Sequence, residues 1–443
     1  MPGDAMKNDP LLIRAQALLP ELTAIRRDFH RYAEPGWMEM RTSSRIARKL
    51  TELGYEVQTG PAVCRADARM AVPSDEALAA HYAWAEANGA DPEFLPAARG
   101  GFTGVVATLR CGEGPTVALR FDIDALGVQE SASDAHLPQR EGFASVTPGI
   151  MHACGHDGHA AIGIGTAILL SGLRDQLHGT IRLIFQPAEE GVRGAKSIVA
   201  AGHLDGVDYA LAAHILPAGK AAGLVEIGVL PEHAVGALAT AKLDAVFHGR
   251  SSHAGFAPQE GRNALLAAAT AVLNLHAIPR YGSTPTQLNV GTLHAGAGRN
   301  VVCDTARLEL EVRGATTEAN EFMLARAKKI LQAAAEMQGC TVELAEMGSS
   351  AAMDCTWALS ERVERVCKDE LGLRVARVGS LGGGSEDFSY MAQRVQQQGG
   401  QAAYIGLLSA CPAVNHNSSF DFEEKTLANG AAMFAAVTRS LIG

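Results

Sequence analysis

The chain has 443 residues, of which 47% are hydrophobic and 19% are charged, and its formal net charge is −10 at pH 7. That length is too great for one compact core, so we expect two domains. The composition excludes a disordered chain, and the acidic balance argues against a general nucleic-acid or anionic-membrane surface.

Cysteine usage and the N-terminal segment bear on the cellular compartment. The eight cysteines are scattered without a repeating spacing, so we expect no disulfide framework and favour a reducing cytoplasm. Residues 1–10 are polar and lack the apolar core of a signal peptide, and no apolar run is long enough to span a membrane. The sequence therefore predicts a soluble cytoplasmic protein.

The N-terminal part predicts helices followed by strands. Hydrophobic periodicity favours helices over 11–33 and 41–53, and β-type composition favours strands over 55–59 and 102–109. Between those strands, residues 64–100 form an insertion. An insertion of this size is either a lid element or neutral decoration, and the sequence leaves both open.

Between the two predicted helices, His30 and Glu34 lie one helical turn apart on the same face. They could form the rim of a site. A capped helix end packed against Trp37 is the interpretation that the sequence favours.

The segment 151–159, MHACGHDGH, is unusually rich in metal-ligand side chains. It contains three imidazoles, one thiol and one carboxylate in nine residues, and an apolar helix is predicted directly after it over 160–170. Histidine and cysteine favour borderline divalent ions such as Zn²⁺, and cysteine binds them as its thiolate. We interpret this segment as part of a metal site rather than as a redox-inert cysteine beside surface histidines.

Polar side chains also follow three predicted strands, over 116–123, 179–185 and 209–213. These side chains are Asp122, Asp124, Glu189, Glu190 and His214. The strands alternate with helices, which predicts a doubly wound α/β domain that binds its ligand at the carboxyl edge of the sheet. Adjacent carboxylates such as Glu189 and Glu190 repel each other unless a cation lies between them.

From about residue 234 to 345 the pattern changes to strand, helix, strand, strand, helix, strand. The predicted segments are 237–247, 261–277, 287–294, 306–313, 317–337 and 341–346. This order predicts a ferredoxin-like βαββαβ domain inserted into the first domain. Two of its loops, 248–255 and 296–302, are polar, and either could be an ordinary turn.

After residue 346 the α/β pattern returns. Helices are predicted over 356–371 and 424–441, with a strand over 402–407 and His416 in the loop that follows it. The glycine-rich segment 382–388 precedes another helix. It is either an anion-binding corner or an ordinary helix N-terminus.

The candidate ligands form one set: Cys154, His156, Glu190, His214 and His416. Five such side chains are enough to hold two ions and leave a position for water. Glu189, next to a candidate ligand, is then the natural general base, and His253 is a candidate donor to the oxyanion.

Six motifs together resemble the aminoacylase-like dinuclear metallopeptidase family, which includes hippurate and auxin-conjugate hydrolases. They are MHACGHDGH, QPAEEG, SSHAG, AGRNVV, SEDF and NHNSSFDFEE. The resemblance implies a zinc-peptidase-like catalytic domain over 1–233 and 346–443, and a lid or dimerisation domain over 234–345. It also implies two Zn or Mn ions per subunit, held by the ligand set above.

The resemblance further implies that His253 reaches the active site of the partner subunit in a homodimer, and that Asn300 and Arg313 hold the carboxylate of the substrate. Asp122 and Asp124 stand where related branches have a His-x-Asp pair. Since the histidine is absent here, we expect both aspartates to support ligands rather than to bind metal. His152 and His159 are also left outside the ligand set.

The opening RRDFHRYAEPGW, the 64–100 insertion, GGFTGVVATL and FDIDALGVQE are most similar to the branch that hydrolyses p-aminobenzoyl-glutamate. The expected activity is therefore cleavage of an N-acyl amino acid of this kind, with a B-type partner subunit possible. Hydrolysis of another aromatic N-acyl amino acid or of a dipeptide is the alternative, and a non-catalytic metal-binding subunit is a third. Gly127 replaces the proline common in relatives and could alter the substrate.

Overall fold

The structure is a computed structural model and describes residues 9–232, 234–379 and 384–443. The chain forms two compact units. Unit 1 comprises Met1–Gly236, Asp354–Gly383 and Asp387–Gly443, and unit 2 comprises Ala237–Met353 and Gly384–Glu386.

Unit 1 alternates strands and helices along most of its length. Its helices are α1 (Pro10–Ala17), α2 (Leu19–Arg31), α3 (Met40–Glu52), α4 (Asp75–Ala87), α5 (Leu137–Arg140), α6 (His156–Ser171), α7 (Ala195–Ala200), α10 (Trp357–Arg365), α11 (Phe388–Gln397) and α12 (Lys425–Ile442). Its strands are β1 (Glu56–Thr59), β2 (Val105–Arg110), β3 (Thr116–Asp122), β4 (Thr180–Gln186), β5 (Tyr209–Pro217), β6 (Ile227–Val229), β13 (Val375–Arg377) and β14 (Gln401–Ser409). The short strands β7 (Val235–Ala237) and β12 (Met353–Asp354) lie where the chain passes between the units.

The eight strands of unit 1 form one mixed sheet in the order β1-β2-β4-β3-β5-β14-β6-β13. Its centre, β4-β3-β5-β14, is parallel, while β1 and β2 pair antiparallel at one side. The central strands are buried along nearly their whole length, as expected for parallel strands covered on both faces. The α/β class predicted for this domain is confirmed.

Helix α6 lies at the centre of the helical layer. It contacts α2, α3, α12 and strands β3 to β5, and nearly all of its residues are buried. This burial explains why it is apolar on all sides. Gly163 lets the helix approach the sheet closely, because a Cβ atom there would lie 2.6 Å from the Phe185 ring. Helix α11 packs against α7, β5 and β14 in a separate layer.

The 64–100 insertion lies between β1 and β2 and contains α4. It has a small core of its own with α3, formed by Met40, Leu78, Ala85, Leu95 and Ala98. The indole of Trp37 donates a hydrogen bond to the Met70 carbonyl at 2.9 Å. Glu34 accepts hydrogen bonds from the backbone N–H groups of Arg41 and Thr42 in the first turn of α3. Glu34 therefore caps the start of α3, whereas His30, the other half of the predicted pair, contacts Asp157 and Glu130 instead.

Unit 2 contains β8 (Ala239–His248), α8 (Ala264–His276), β9 (Thr286–Ala295), β10 (Thr305–Gly314), α9 (Thr317–Met337) and β11 (Thr341–Ser350). The strands form an antiparallel sheet in the order β11-β8-β10-β9. Alternate residues of β10 are buried in a core shared with α8 and α9. The predicted βαββαβ order is confirmed, and β9 is an edge strand of this sheet.

Several predicted boundaries were wrong for identifiable reasons. The predicted helix 11–33 is two helices, because Pro20 lacks an N–H group and its ring disfavours a continuous helix across that point. The predicted helix 356–371 ends as α10 at Arg365 and continues as a π-helical turn over Val366–Glu370. Residues 382 and 383 of the predicted glycine corner lie outside the described residues. Within the described ranges, no helix is long and apolar enough to cross a membrane.

Candidate metal centre

The candidate ligands come from elements that are neighbours in unit 1. Cys154 lies two residues before α6, and His156 is the first residue of this helix, after Gly155 at φ 88°. Glu189 and Glu190 follow β4, and His214 lies in β5. Because β4, β3 and β5 are adjacent, the sheet brings these residues to one region. His214 was predicted at the end of its strand, but β5 continues to Pro217.

The six residues predicted for the metal and the general base are clustered. Candidate ligand atoms lie within 4.8 Å of one another in three overlapping groups: Cys154, His156 and His214; Cys154, Glu190 and His416; and His156, Glu189 and Glu190. The Cys154 Sγ atom is 3.4 Å from His214 Nε2, and His416 Nε2 is 3.6 Å from Glu190 Oε1. These overlaps describe one continuous cluster rather than separate sites.

The imidazoles are oriented so that one nitrogen of each faces this cluster. His214 Nδ1 donates to the Ile215 carbonyl at 2.8 Å, and His156 Nδ1 donates to Asp124 Oδ1 at 3.2 Å. Each hydrogen bond fixes the proton on Nδ1 and leaves the lone pair on Nε2. That is the tautomer a metal-binding histidine needs.

The chemistry of the donor set fits a divalent cation. His156 Nε2 and Glu190 Oε1 are buried, and among the described residues neither has a hydrogen-bond partner. Burial and then the Glu190 carboxylate raise the pKa of the Cys154 thiol far above its usual range. Burial is also the main reason that the pKa of Glu190 is raised to about 7. A cation would satisfy the two unpartnered atoms and favour both the thiolate and the carboxylate.

Asp122 and Asp124 contact supporting groups around the cluster. Asp122 accepts hydrogen bonds from Arg120 Nη1 at 2.6 Å and from His159 Nδ1 at 2.5 Å. Burial alone would raise the pKa of Asp122, but Arg120 and the neighbouring imidazoles lower it well below its usual range. His159 Nε2 accepts from the Ile215 N–H at 2.9 Å, so both of its nitrogens have hydrogen-bond partners. Asp122, His156 and His159 nevertheless form a further group of candidate ligand atoms within 4.8 Å of one another, although the sequence left Asp122 and His159 outside the ligand set.

Sequence reasoning missed several residues around this cluster. Glu39 accepts a hydrogen bond from the Ala188 N–H at 2.7 Å, and Asp387 accepts from the N–H groups of Gly194 and Ala195. Arg26 binds Asp157 at 2.8 Å, as does His30, which the sequence offered only as part of a possible site rim. The SEDF motif could have indicated Asp387. Glu39 directly precedes α3 and Arg26 lies in α2, and the sequence around them contains no comparable signal.

Two candidate residues of unit 2 lie in neighbouring loops. The Ala254 N–H donates to the Asn300 carbonyl at 3.0 Å, and His253 and Val301 form a β-bridge. His253 is exposed, and its Nδ1 atom accepts from the Phe256 N–H at 3.0 Å. Its proton must therefore be on Nε2, which makes the outer nitrogen a donor.

Arg313 is in a different part of unit 2. It lies on β10, where its Nη2 atom is 3.1 Å from Glu311 Oε1. With Arg280 and Asn289 it lines a cavity of about 310 Å³. The structure thus brings His253 and Asn300 together, but Arg313 belongs to the sheet rather than to their loops.

The chain is similar to proteins of known activity. It is 47% identical to indole-3-acetyl-aspartic acid hydrolase of Enterobacter agglomerans over 93% of both chains. It is 44% identical to the A component of p-aminobenzoyl-glutamate hydrolase of Escherichia coli K12, over 93% of this chain and 94% of that one. The crystal structure of an aminobenzoyl-glutamate utilization protein from Klebsiella pneumoniae superposes with a TM-score of 0.82 at 38% identity, covering 97% of this chain and 98% of that one.

Residues 118–440 match the model of peptidase family M20/M25/M40. This range includes all six clustered residues and both loops of unit 2. The match covers well over half of the chain, and both relatives span 93% of it. The chain therefore belongs to peptidase family M20/M25/M40.

Proposed function

We propose that this protein is a metal-dependent amidohydrolase that cleaves the amide bond of an N-acyl amino acid, with p-aminobenzoyl-glutamate as its substrate. The observation that carries the proposal is the clustering of Glu189 with the five candidate ligands Cys154, His156, Glu190, His214 and His416. A buried carboxylate beside a metal-type donor set is what hydrolysis by an activated water requires.

The two relatives of known activity support the substrate class. One is named for indole-3-acetyl-aspartate and the other for p-aminobenzoyl-glutamate. Both compounds join an aromatic acyl group to an acidic amino acid. The similar identities to the two relatives make indole-3-acetyl-aspartate the second candidate. The net charge of −10 means that the overall electrostatic field of the protein does not attract such an acid, so individual residues in the site must bind it.

In the proposed reaction, two divalent ions, Zn or Mn, would polarise the amide carbonyl and lower the pKa of the attacking water. Glu189 takes the proton from this water and then transfers it to the leaving nitrogen. Its position suits the role because its backbone N–H is held by Asp124 Oδ1 at 3.1 Å while the side chain is buried. Cys154, His156, Glu190, His214 and His416 would hold the ions.

We further propose that His253 donates from Nε2 to the developing oxyanion, and that it does so across a homodimer interface. The tautomer set by the Phe256 N–H supports a donor role. A dimer formed by unit 2 is supported by the edge strand β9 and by Leu266 and Leu273 of α8, which are 47% and 75% exposed. Such apolar exposure is typical of a protein–protein contact.

Asn300 is proposed to bind the substrate carboxylate beside His253, and Arg313 is retained as a second candidate. A B-type subunit remains a proposed partner, because the name of the Escherichia coli relative describes one component of a hydrolase with more than one kind of chain. All eight cysteines are free, which supports a reducing compartment such as the cytoplasm. The boundaries 1–233 and 346–443 for the catalytic domain, and 234–345 for the dimerisation domain, belong to the same proposal.

The test is hydrolysis by the purified protein after chelation and re-addition of Zn²⁺ or Mn²⁺. We expect metal-dependent release of p-aminobenzoate and glutamate, with indole-3-acetyl-aspartate and hippurate as comparison substrates. Faster cleavage of indole-3-acetyl-aspartate would replace the substrate but keep the chemistry. Absence of cleavage of all three amides, with the metals bound, would contradict the proposed function.

A further inference from the structure

The loop that carries Glu189 and Glu190 has a strained backbone. Ala188, directly before these residues, has φ 51°, and Val192, two residues after them, has φ 61°. A left-handed backbone conformation is sparsely populated by non-glycine residues and costs on the order of 1–3 kcal/mol of conformational free energy for each residue. The Val192 N–H donates to the Glu189 carbonyl at 2.6 Å and the Arg193 N–H donates to the Ala188 carbonyl at 3.1 Å, so hydrogen bonds within the loop help to hold this shape together with the groups around it.

Two buried carboxylates bind three consecutive N–H groups of this loop. Asp124 accepts from Glu189 at 3.1 Å and from Glu190 at 2.9 Å. Glu39 accepts from Ala188 at 2.7 Å, and its other oxygen accepts from the Thr103 hydroxyl at 2.5 Å. Glu39 thus binds the loop at the strained residue itself.

We propose that Glu39 is a positioning residue of the metal centre: through the Ala188 N–H it holds the turn that orients Glu189 and Glu190. This inference rests on the proposed function, which assigns those two residues as base and ligand. Glu39 belongs to none of the candidate ligand groups found among the described residues. It acts through the backbone and reaches the loop from a position 149 residues away in sequence.

The environment of Glu39 argues against a role in packing alone. The residue is completely buried, and burial and then the nearby Asp124 carboxylate raise the pKa of Glu39 to about 8. A buried carboxyl group next to a second one is unfavourable, and an apolar side chain would fill the space without that penalty. The hydrogen bonds to Ala188 and Thr103 are the specific interactions that an apolar side chain would lose.

The chain supplies a matched control in Glu34. Glu34 is also completely buried, and it accepts from the backbone N–H groups of Arg41 and Thr42 and contacts His81 Nε2 at 2.9 Å. It binds α3 and His81 of α4 rather than residues 187–194, which form the loop that carries Glu189 and Glu190. Truncation of Glu34 therefore removes a buried carboxylate from the same part of the chain without loosening the loop.

The experiment measures the Zn²⁺ and Mn²⁺ dissociation constants of full-length Glu39→Ala, Glu39→Gln and Glu34→Ala by competition with a chelator, together with kcat, KM and Tm. For Glu39→Ala we expect metal binding about 10- to 100-fold weaker and a lower kcat with little change in KM. Glu39→Gln should recover much of the metal affinity, since its amide oxygen can accept from Ala188. Glu34→Ala should lower Tm without changing the metal dissociation constant.

Equal metal affinity in Glu39→Ala and the wild type, or an equal loss in Glu34→Ala, would overturn the proposal. If Glu39→Ala does not fold, Thr103→Val decides: weaker metal binding supports the positioning role, and unchanged binding overturns it. The metal constants need no substrate. A wild type that binds metal but cleaves none of the amides would thus contradict the proposed function and leave the test of Glu39 intact.

Discussion

The candidate residues of the two units differ in how the fold holds them. In unit 1, the Glu189 and Glu190 backbones are bound by Asp124, and His156 and His214 are each oriented by a second hydrogen bond. In unit 2, His253 is exposed and is held by N–H groups of its own loop. We infer that the metal centre is preorganised within one chain, whereas the unit 2 residues act only when another surface meets them.

The largest expected effect tests the first half of this comparison. Glu189→Gln keeps the shape of the side chain but removes the base, so kcat should fall by about 10²- to 10⁴-fold. Metal content should stay at the wild-type level, because Cys154, His156, Glu190, His214 and His416 are intact. Kinetics and metal analysis of the same sample check this. Loss of a bound ion together with activity would make Glu189 a ligand instead.

The second prediction tests the other half. Removal of an oxyanion donor in His253→Ala should lower kcat by about 10²- to 10³-fold with little change in KM or metal affinity. Mixed dimers of His253→Ala and Glu189→Gln protomers should regain part of the activity, because one site then has an intact Glu189 and an intact His253 from its partner.

Homodimers of each variant, mixed without protomer exchange, are the control for this experiment. If exchanged dimers regain no activity, His253 does not act across an interface. If His253→Ala also loses bound metal, the metal centre of unit 1 depends on unit 2, and it is not preorganised by unit 1 alone.

The sequence predicted the parts of the fold and site that depend on local pattern. The ligand-rich 151–159 segment, the acids after β4 and the βαββαβ order of unit 2 follow from spacing and periodicity. Their prediction is local too, because a run of candidate ligand side chains before an apolar helix can be recognised without knowledge of distant residues. The predicted helix over 317–337 coincides with α9.

What the sequence could not predict depends on distant pairing. β5 continues past His214 because β14 pairs with it along its whole length, from Gln401 opposite Tyr209 to Ser409 opposite Pro217. Glu39 meets Ala188 only through the tertiary fold. The sequence pattern therefore indicates Glu189 and Glu190 themselves, but it does not indicate that Glu39 and Asp124 bind the backbone of their loop.

The third prediction concerns His30, which lies in the buried network of unit 1. Its two ring nitrogens contact Asp157 at 2.8 Å and Glu130 at 2.9 Å, with Arg26 and His152 nearby. Burial alone would lower the pKa of His30, but the hydrogen bonds to both carboxylates raise it to about 9. The folded state therefore binds the proton more tightly than the unfolded state does, which is worth roughly 3 kcal/mol.

This stabilisation is complete below the unfolded pKa of about 6.5, declines as pH rises and is lost above about 9. The unfolding free energy of metal-free wild type should therefore fall across this window more steeply than that of His30→Gln. Denaturant unfolding at several pH values checks this, and chelation removes the separate pH dependence of metal binding. Equal slopes in the two proteins would show that His30 is not charged in the native state.

The smallest expected effect concerns Arg313 in unit 2. Glu311 already pairs with this guanidinium at 3.1 Å, and both side chains are partly exposed, so the net attraction for a substrate carboxylate is small. Arg313→Ala should raise KM by roughly two- to fivefold and leave kcat unchanged, a range set by exposed ion pairs. Glu311→Gln should lower KM for an acidic substrate, because it removes the competing carboxylate and keeps its shape. Opposite shifts in KM in the two variants would identify Arg313 as a substrate contact. An unchanged KM in both variants would show that this ion pair only belongs to the sheet surface. Asn300 would then be the remaining candidate for binding the substrate carboxylate.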